Sequence, residues 1–291
     1  MIPVIYYHVG SIRNETSSPR HLEVSIQQSK KFNGRVILLG DDSNSHLDVE
    51  HYNVSEYSDD INEFRSSYKH MSSNEPAFEM ACIERWIVLA NFVKQMNLEK
   101  VVYLDSDIMT FCNYEERESI FDEDYVGMVC SPKRFGSDVD SPKDWGVTGC
   151  ISYWRHDIIL KFKDLILSSY SDNMDKLLHK WNWHIDTKHP GGICDMTLMY
   201  LFYFENNLQS LCKVQKDNSV FDQNYYVPET YMTDEYSMSD RGKTITWKEE
   251  DLIDLNGNPH HTPYYHNLLL DDTGDTLVRV NALPELARFV Q

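Results

Sequence analysis

Residues 101–111 read VVYLDSDIMTF: four apolar residues, two carboxylates separated by one serine, then apolar residues again. The apolar run predicts a buried strand. In open α/β sheets ligands gather beyond the carboxyl ends of strands. Asp105 leaves the strand end and Asp107 sits one turn later, so the two can converge on one divalent cation. Hard carboxylate oxygens suit Mg²⁺ or Mn²⁺, ions that also take oxygens from a bound diphosphate. An Asp-x-Asp pair occurs by chance in acidic chains as a solvated turn; at the end of a mid-chain buried strand it reads as a metal site.

The surrounding elements must deliver that pair. Val4–Val9 reads as a buried strand, Arg20–Phe32 as a helix ended by Asn33-Gly34, Val36–Leu39 as a second strand stopped by Gly40-Asp41-Asp42, and Val49–Val54 as a third. Ser55–Glu75 is polar and reads as a long loop or a mobile helical insert. Pro76 opens an amphipathic helix to about Asn97, and the motif strand follows. Further strands are expected at Tyr125–Cys130 and Gly149–Trp154, with helices at Asp157–Tyr170 and from about Asp195 to Phe204. The segment from Leu211 onward is irregular, with a short helix at Pro284–Phe289. The order strand, helix, strand, strand predicts an α/β fold with a mostly parallel central sheet flanked by helices. No linker divides the 291 residues, so one domain is expected.

With 27 Lys+Arg against 46 Asp+Glu, the chain has a formal charge of -19, which argues against a nucleic-acid partner or a polybasic membrane contact. An anionic small molecule would need a metal ion or a few placed cations. None of the six cysteines forms a C-x-x-C pair, so a zinc knuckle is not indicated. With no signal peptide or membrane span in the sequence, a cytoplasmic location is expected.

The stretches Cys82–Leu89 and Lys100–Asp107 together resemble the GT-A class of glycosyltransferases, in which a helix precedes the strand that carries the Asp-x-Asp motif. The similarity is nearest to the group holding glycogenin, the bacterial lipopolysaccharide galactosyltransferases and related capsule-type enzymes. It implies a GT-A, Rossmann-like fold and transfer of a sugar from a nucleoside-diphosphate donor, most often a UDP-sugar, to a saccharide, lipid-linked or protein acceptor. It further implies a nucleotide-binding half over residues 1–110 and an acceptor-binding half over 111–291 that ends in a segment completing the metal site.

Residue by residue, the resemblance implies Mn²⁺ (or Mg²⁺) at Asp105 and Asp107, Ser106 at the ribose, and Arg85 near the donor phosphates or sugar. The family's N-x-G segment corresponds to Val147-Thr148-Gly149, where the Asn is missing. Thr148 and Gly149 are then the expected sugar contacts, with Gly149 letting backbone approach the donor. Asp195, opening a helix, is the expected catalytic residue: general base in an inverting enzyme, or the group that steadies the sugar in a retaining one. His266 is the expected third metal ligand. His8 and Val9, at the end of the first strand, are expected at the base or ribose, with Asp41 a further candidate.

The segments Ser141–Gly146 and Trp181–Gly192 are expected to form a mobile lid and an acceptor wall. Two rival readings stand beside this one. A haloacid-dehalogenase-like phosphatase also carries Asp-x-Asp after an apolar strand, but places it near the N-terminus and wants Thr or Val where this chain has Met109. The other rival is a catalytically silent relative that binds a nucleotide or glycan.

Overall fold

The computed structural model describes residues 1–10, 20–110, 112–120, 142, 145–206 and 208, and five short strands from residue 219 onward. In chain order the main elements are β1 (Val4–Tyr7), α1 (Arg20–Phe32), β2 (Val36–Gly40), β3 (Glu50–Asn53), α2 (Ile61–Ser67), α3 (Pro76–Gln95), β4 (Lys100–Leu104), β5 (Ile108–Thr110), β6 (Ile151–Arg155), α4 (His156–Ser171), α5 (Asp175–Thr187) and α6 (Asp195–Glu205). Then come β7 (Ser219–Val220), β8 (Tyr236–Met238), β9 (Ile245–Trp247), β10 (Tyr264–Tyr265) and β11 (Asn267–Leu269).

Five strands form the central sheet in the order β3-β2-β1-β4-β6. The pairs β3/β2, β2/β1 and β1/β4 are parallel, while β6 runs antiparallel to β4. The fold is therefore α/β with a mostly parallel sheet flanked by helices, as the sequence predicts. Burial on both faces explains why β1, β2 and β4 read as unbroken apolar runs.

The two-residue alternation of a strand divides those runs between two cores. Val4, Tyr6, Leu38, Val102 and Leu104 pack with Leu22 and Ile26 of α1. Ile5, Ile37, Leu39, Val101 and Tyr103 pack with α3, α4 and α6. Continuing that alternation past Leu104 turns Asp105 toward α3, which is what the site requires.

Helix α3 carries Pro at N1, where its fixed φ suits the first turn and its missing N–H costs nothing. From Trp86 to Val93 every residue is buried, so this half is a core helix. The 55–75 stretch holds helix α2, in line with the helical-insert reading, and its Ile61 and Phe64 are buried. One sequence expectation changes. Residues 181–187, expected as part of a loop, complete α5. Its inward face is Leu177, Lys180 and His184; the buried lysine, donating to the Trp145 carbonyl at 2.6 Å and to Thr197 Oγ1 at 2.8 Å, breaks the apolar spacing that would have revealed the helix. The strand expected at 125–130 and the helix expected at 284–289 lie outside the described residues. Among the described residues no helix is long and apolar enough to cross a membrane.

Candidate active site

The Asp-x-Asp motif forms a tight turn at the carboxyl end of β4. The Asp105 amide donates to the Cys150 carbonyl at 2.8 Å, and the Asp105 carbonyl accepts from the Ile108 amide at 3.0 Å, closing a four-residue β-turn. The chain then enters β5, which pairs antiparallel with β11, Leu269 opposite Ile108 and Asn267 opposite Thr110. Asp105, Ser106 and Asp107 thereby line a cleft of about 490 Å³. The opposite wall is the α3 stripe Phe78, Ala81, Cys82 and Arg85, and the end of β1 contributes Tyr7, His8 and Val9.

Arg85 organises the carboxylates. Its Nη1 donates to Asp105 Oδ1 at 2.7 Å and its Nη2 to Asp195 Oδ2 at 2.5 Å. The guanidinium carbon lies 5.0 Å from the Trp86 ring centroid and 5.6 Å from that of Tyr103. Burial works against the Arg85 charge, but Asp105, Tyr103 and Asp195 outweigh it and hold the guanidinium well above its ordinary range. The Tyr103 hydroxyl donates to Asp105 Oδ1 at 2.8 Å. Burial, reinforced by the Asp105 charge, pushes that phenol well above its ordinary range, so it stays a donor.

Asp105 Oδ1 therefore receives both internal donors, and among the described residues no hydrogen bond goes to Oδ2. That leaves one hard oxygen of Asp105 beside Asp107 in the cleft, a donor set that fits a divalent cation whose other ligands are phosphate oxygens and water. No group of three or more His, Cys, Asp or Glu able to hold a metal occurs among the described residues. His266 lies outside them.

Asp195 opens α6 and is 4% exposed. Its Oδ2 also accepts from Trp86 Nε1 at 3.0 Å, and its Oδ1 accepts from the Met196 amide at 2.9 Å. It does not line the cleft and reaches the site through Arg85. His8 is buried, and its amide and carbonyl are bonded to Leu39 and Asn44, which fixes the end of β1 as a wall. Ser106 Oγ lies 3.4 Å from Nε2 of His21, a cleft residue that sequence reasoning missed. Asp41 is spent on its own turn, accepting from the Ser43 amide and hydroxyl.

Thr148 and Gly149 do not line the cleft. A Cβ on Gly149 would lie 2.4 Å from Met199 Cε and 2.7 Å from Trp86, so core side chains fill the space that a side chain here would take. Thr148 Oγ1 accepts instead from the Cys150 amide at 3.3 Å.

Behind the cleft, the loop before α3 is stitched to the segment before α6. Ser72 bridges Gly192, and the Ile193 amide donates to the Met71 carbonyl at 2.7 Å. Gly192 has φ +149°, and a Cβ there would sit 2.2 Å from the Met71 carbonyl oxygen, so only glycine fits. Glu79, 1% exposed, accepts from the Ser72 hydroxyl at 2.9 Å and from Asn74 Nδ2 at 2.7 Å through one oxygen. Cys82, in the cleft wall, has its thiol pushed up to about 12 by burial and then by the Asp195 charge, so it is not a nucleophile at neutral pH.

No protein-family model matches the sequence, and no curated protein sequence matches it. Solved structures do match. Mouse xyloside xylosyltransferase 1 is 10% identical with a TM-score of 0.49, covering 72% of this chain and 84% of its own. The bifunctional glycosyltransferase WbbM is 10% identical with a TM-score of 0.40, and the match spans 72% of this chain but 38% of WbbM. The galactosyltransferase LgtC, in complex with donor and acceptor sugar analogues, is 10% identical with a TM-score of 0.34, covering 69% and 70%. These structural neighbours are glycosyltransferases, the class the sequence resembles. At such identities and scores the likeness is distant, and the functional reading rests on the geometry of the site.

Proposed function

We propose that the chain is a metal-dependent glycosyltransferase, moving a sugar from a nucleoside-diphosphate donor, in the first instance a UDP-sugar, to a hydroxyl of a saccharide, lipid-linked or protein acceptor. One observation carries the reading: Asp105 and Asp107 project from the carboxyl end of a central strand into the same cleft as Arg85. That edge of an α/β sheet is where phosphorylated ligands bind.

Charge explains why the pair needs a cation. In a chain of net charge -19, two cleft carboxylates would repel a diphosphate. Asp105 and Asp107 would hold Mn²⁺ or Mg²⁺, which supplies Lewis-acid neutralisation of the departing diphosphate. The chain's own residues do the rest. Tyr103 and Arg85 occupy one oxygen of Asp105 and so orient the other. Arg85 stands beside the carboxylates as a fixed cation able to meet charge developing on the leaving group. Asp195 and Trp86 hold Arg85 in that orientation, which makes Asp195 a positioning residue. His8, Val9 and Ser106 form the wall where the base and ribose would lie.

A thermal-shift panel tests the reading. UDP-sugars or UDP with Mn²⁺ should raise the melting temperature by several degrees, and neither nucleotide nor metal alone should match it. A panel in which no nucleotide stabilises the protein with any divalent cation overturns it. So does hydrolysis of generic phosphate esters, which would favour the phosphatase.

A further inference from the structure

The cleft has two chemically different ends. Phe78, Ala81, Cys82 and Arg85 stand at i, i+3, i+4 and i+7 on α3, so they form one stripe along its wall. At a rise of 1.5 Å per residue, Phe78 lies about 10 Å along the helix from Arg85. The Arg85 end carries the guanidinium and faces Asp105. At the other end Phe78 is 46% exposed, one of few large apolar side chains left open among the described residues. Ala77 and Ala81 line the cleft with small side chains, and Glu75, three residues before Phe78, lines it too.

An open aromatic face beside a carboxylate has a specific chemical meaning. The ring offers a flat apolar surface on which the C–H face of a pyranose can lie, and the carboxylate accepts hydrogen bonds from sugar hydroxyls. The same carboxylate repels phosphate, so the diphosphate belongs at the Arg85 end. The base and ribose belong at the His8, Val9 and Ser106 wall. Phe78 and Glu75 are left for the ligand that brings the attacking hydroxyl.

The geometry points to Phe78 and Glu75 as an acceptor subsite that selects a neutral saccharide, Phe78 as the stacking platform and Glu75 as the hydroxyl acceptor. The inference rests on the donor reading above, because the spacing from Arg85 gives the platform its meaning.

The test uses the full chain with UDP and Mn²⁺, probed by saturation-transfer NMR with lactose, cellobiose and methyl glycosides of glucose, galactose, mannose and xylose. At least one sugar should bind, with saturation concentrated on one ring face. Phe78→Ala should weaken that sugar by about five- to tenfold, with Phe78→Tyr retaining it. Glu75→Gln should weaken it less. UDP affinity should not move in any of the three, and the exposure of Phe78 and Glu75 makes the variants safe for folding. If Phe78→Ala weakens UDP instead, the ring is a base platform and the inference fails. If UDP and Mn²⁺ bind but none of the sugars does, the inference fails while the donor reading stands. If the sugars bind at Phe78 and no nucleotide binds under any condition, the donor reading is the one that falls.

Discussion

Asp105 and Asp195, far apart in the chain, grip the two ends of one guanidinium, with Arg85 Nη1 2.7 Å from the first and Nη2 2.5 Å from the second. The strand that carries the motif and the helix that follows the glycine pair are thereby joined through α3. Arg85 and Asp195 have side chains 17% and 6% exposed, so each would leave a buried charge behind if its partner were removed. Arg85→Ala should destabilise by about 3 kcal/mol, and Asp195→Ala by a similar amount. The double variant should lose less than the sum, a coupling that urea denaturation of the four proteins measures directly. Strict additivity would mean that the pair contributes nothing as a pair.

Asp195→Asn separates charge from shape. The Asn oxygen can still accept from Trp86 Nε1, at the loss of the bond from the Met196 amide, but the guanidinium loses one of its two carboxylates and is drawn more strongly to Asp105. It then competes with the cation for that residue. The expected outcome is weaker Mn²⁺ binding by the UDP complex, by about three- to tenfold, with UDP affinity at saturating Mn²⁺ nearly unchanged. Asp195→Glu should restore part of the loss. A drop in turnover with no change in Mn²⁺ affinity would instead make Asp195 a group that meets substrate.

Asp105→Asn and Asp107→Asn should each abolish the Mn²⁺-dependent part of the UDP thermal shift and lower transfer by about a hundredfold or more. The two should differ in stability. Asp105→Asn also removes a charged partner from Arg85 and Tyr103, at a cost of about 1–2 kcal/mol, whereas Asp107→Asn leaves the Arg85 bridge whole. Retention of Mn²⁺-dependent UDP binding in both variants would remove the metal from the account.

The legible parts of the sequence were those in which one residue type reports one environment. Four apolar residues running into Asp-Ser-Asp marked β4 and its turn, because a strand buried on both faces tolerates little else. Pro76 marked the start of α3 for its missing N–H. Helix α5 was hidden because its inward face is built from Leu177 with Lys180 and His184, polar residues satisfied inside the fold. Tyr103 and Trp86 are buried aromatics whose polar tips the sequence does not single out; the paired geometry reveals that the hydroxyl holds Asp105 and the indole N–H holds Asp195. Phe78 was legible in principle as the first member of an i, i+3, i+4, i+7 stripe ending in Arg85. Gly149 is ambiguous in the sequence because a glycine required by packing and one required by a ligand are the same letter.

Gly149→Ala tests that distinction. The new methyl would meet Met199 Cε and Trp86, a clash in a filled core. Overpacking of this kind costs about 1–3 kcal/mol. Most of it should return in Gly149→Ala with Met199→Ala, since the unbranched methionine is the atom set that must move. Donor affinity should stay within about twofold of the parent throughout, measured on the folded fraction. A large loss of UDP-sugar affinity at unchanged stability would restore the sugar contact that the sequence suggested.

The pH dependence of stability should carry a contribution from Glu79. Burial, more than the nearby Asp195 charge, raises its carboxyl above the ordinary 4.5, although Asn74 and Ser72 donate to it and pull the other way. Only one of its oxygens has partners; the other is buried without one. A raised folded-state value means that the folded protein binds the proton more tightly than the unfolded chain does. The stabilisation this lends is complete below pH 4.5 and is lost as pH rises through the folded-state value. Above its folded-state value the group is a buried, half-bonded anion and a net cost. Glu79→Gln keeps an oxygen for Ser72 and Asn74 and removes the charge. It should therefore raise the melting temperature at pH 7, and the gain over the parent should shrink as pH falls toward 4.5. Because Glu79 fastens the loop that leads into the cleft, the variant should retain Mn²⁺-dependent UDP binding at both pH values. A gain in melting temperature equal at every pH would show that the effect comes from packing and not from the proton.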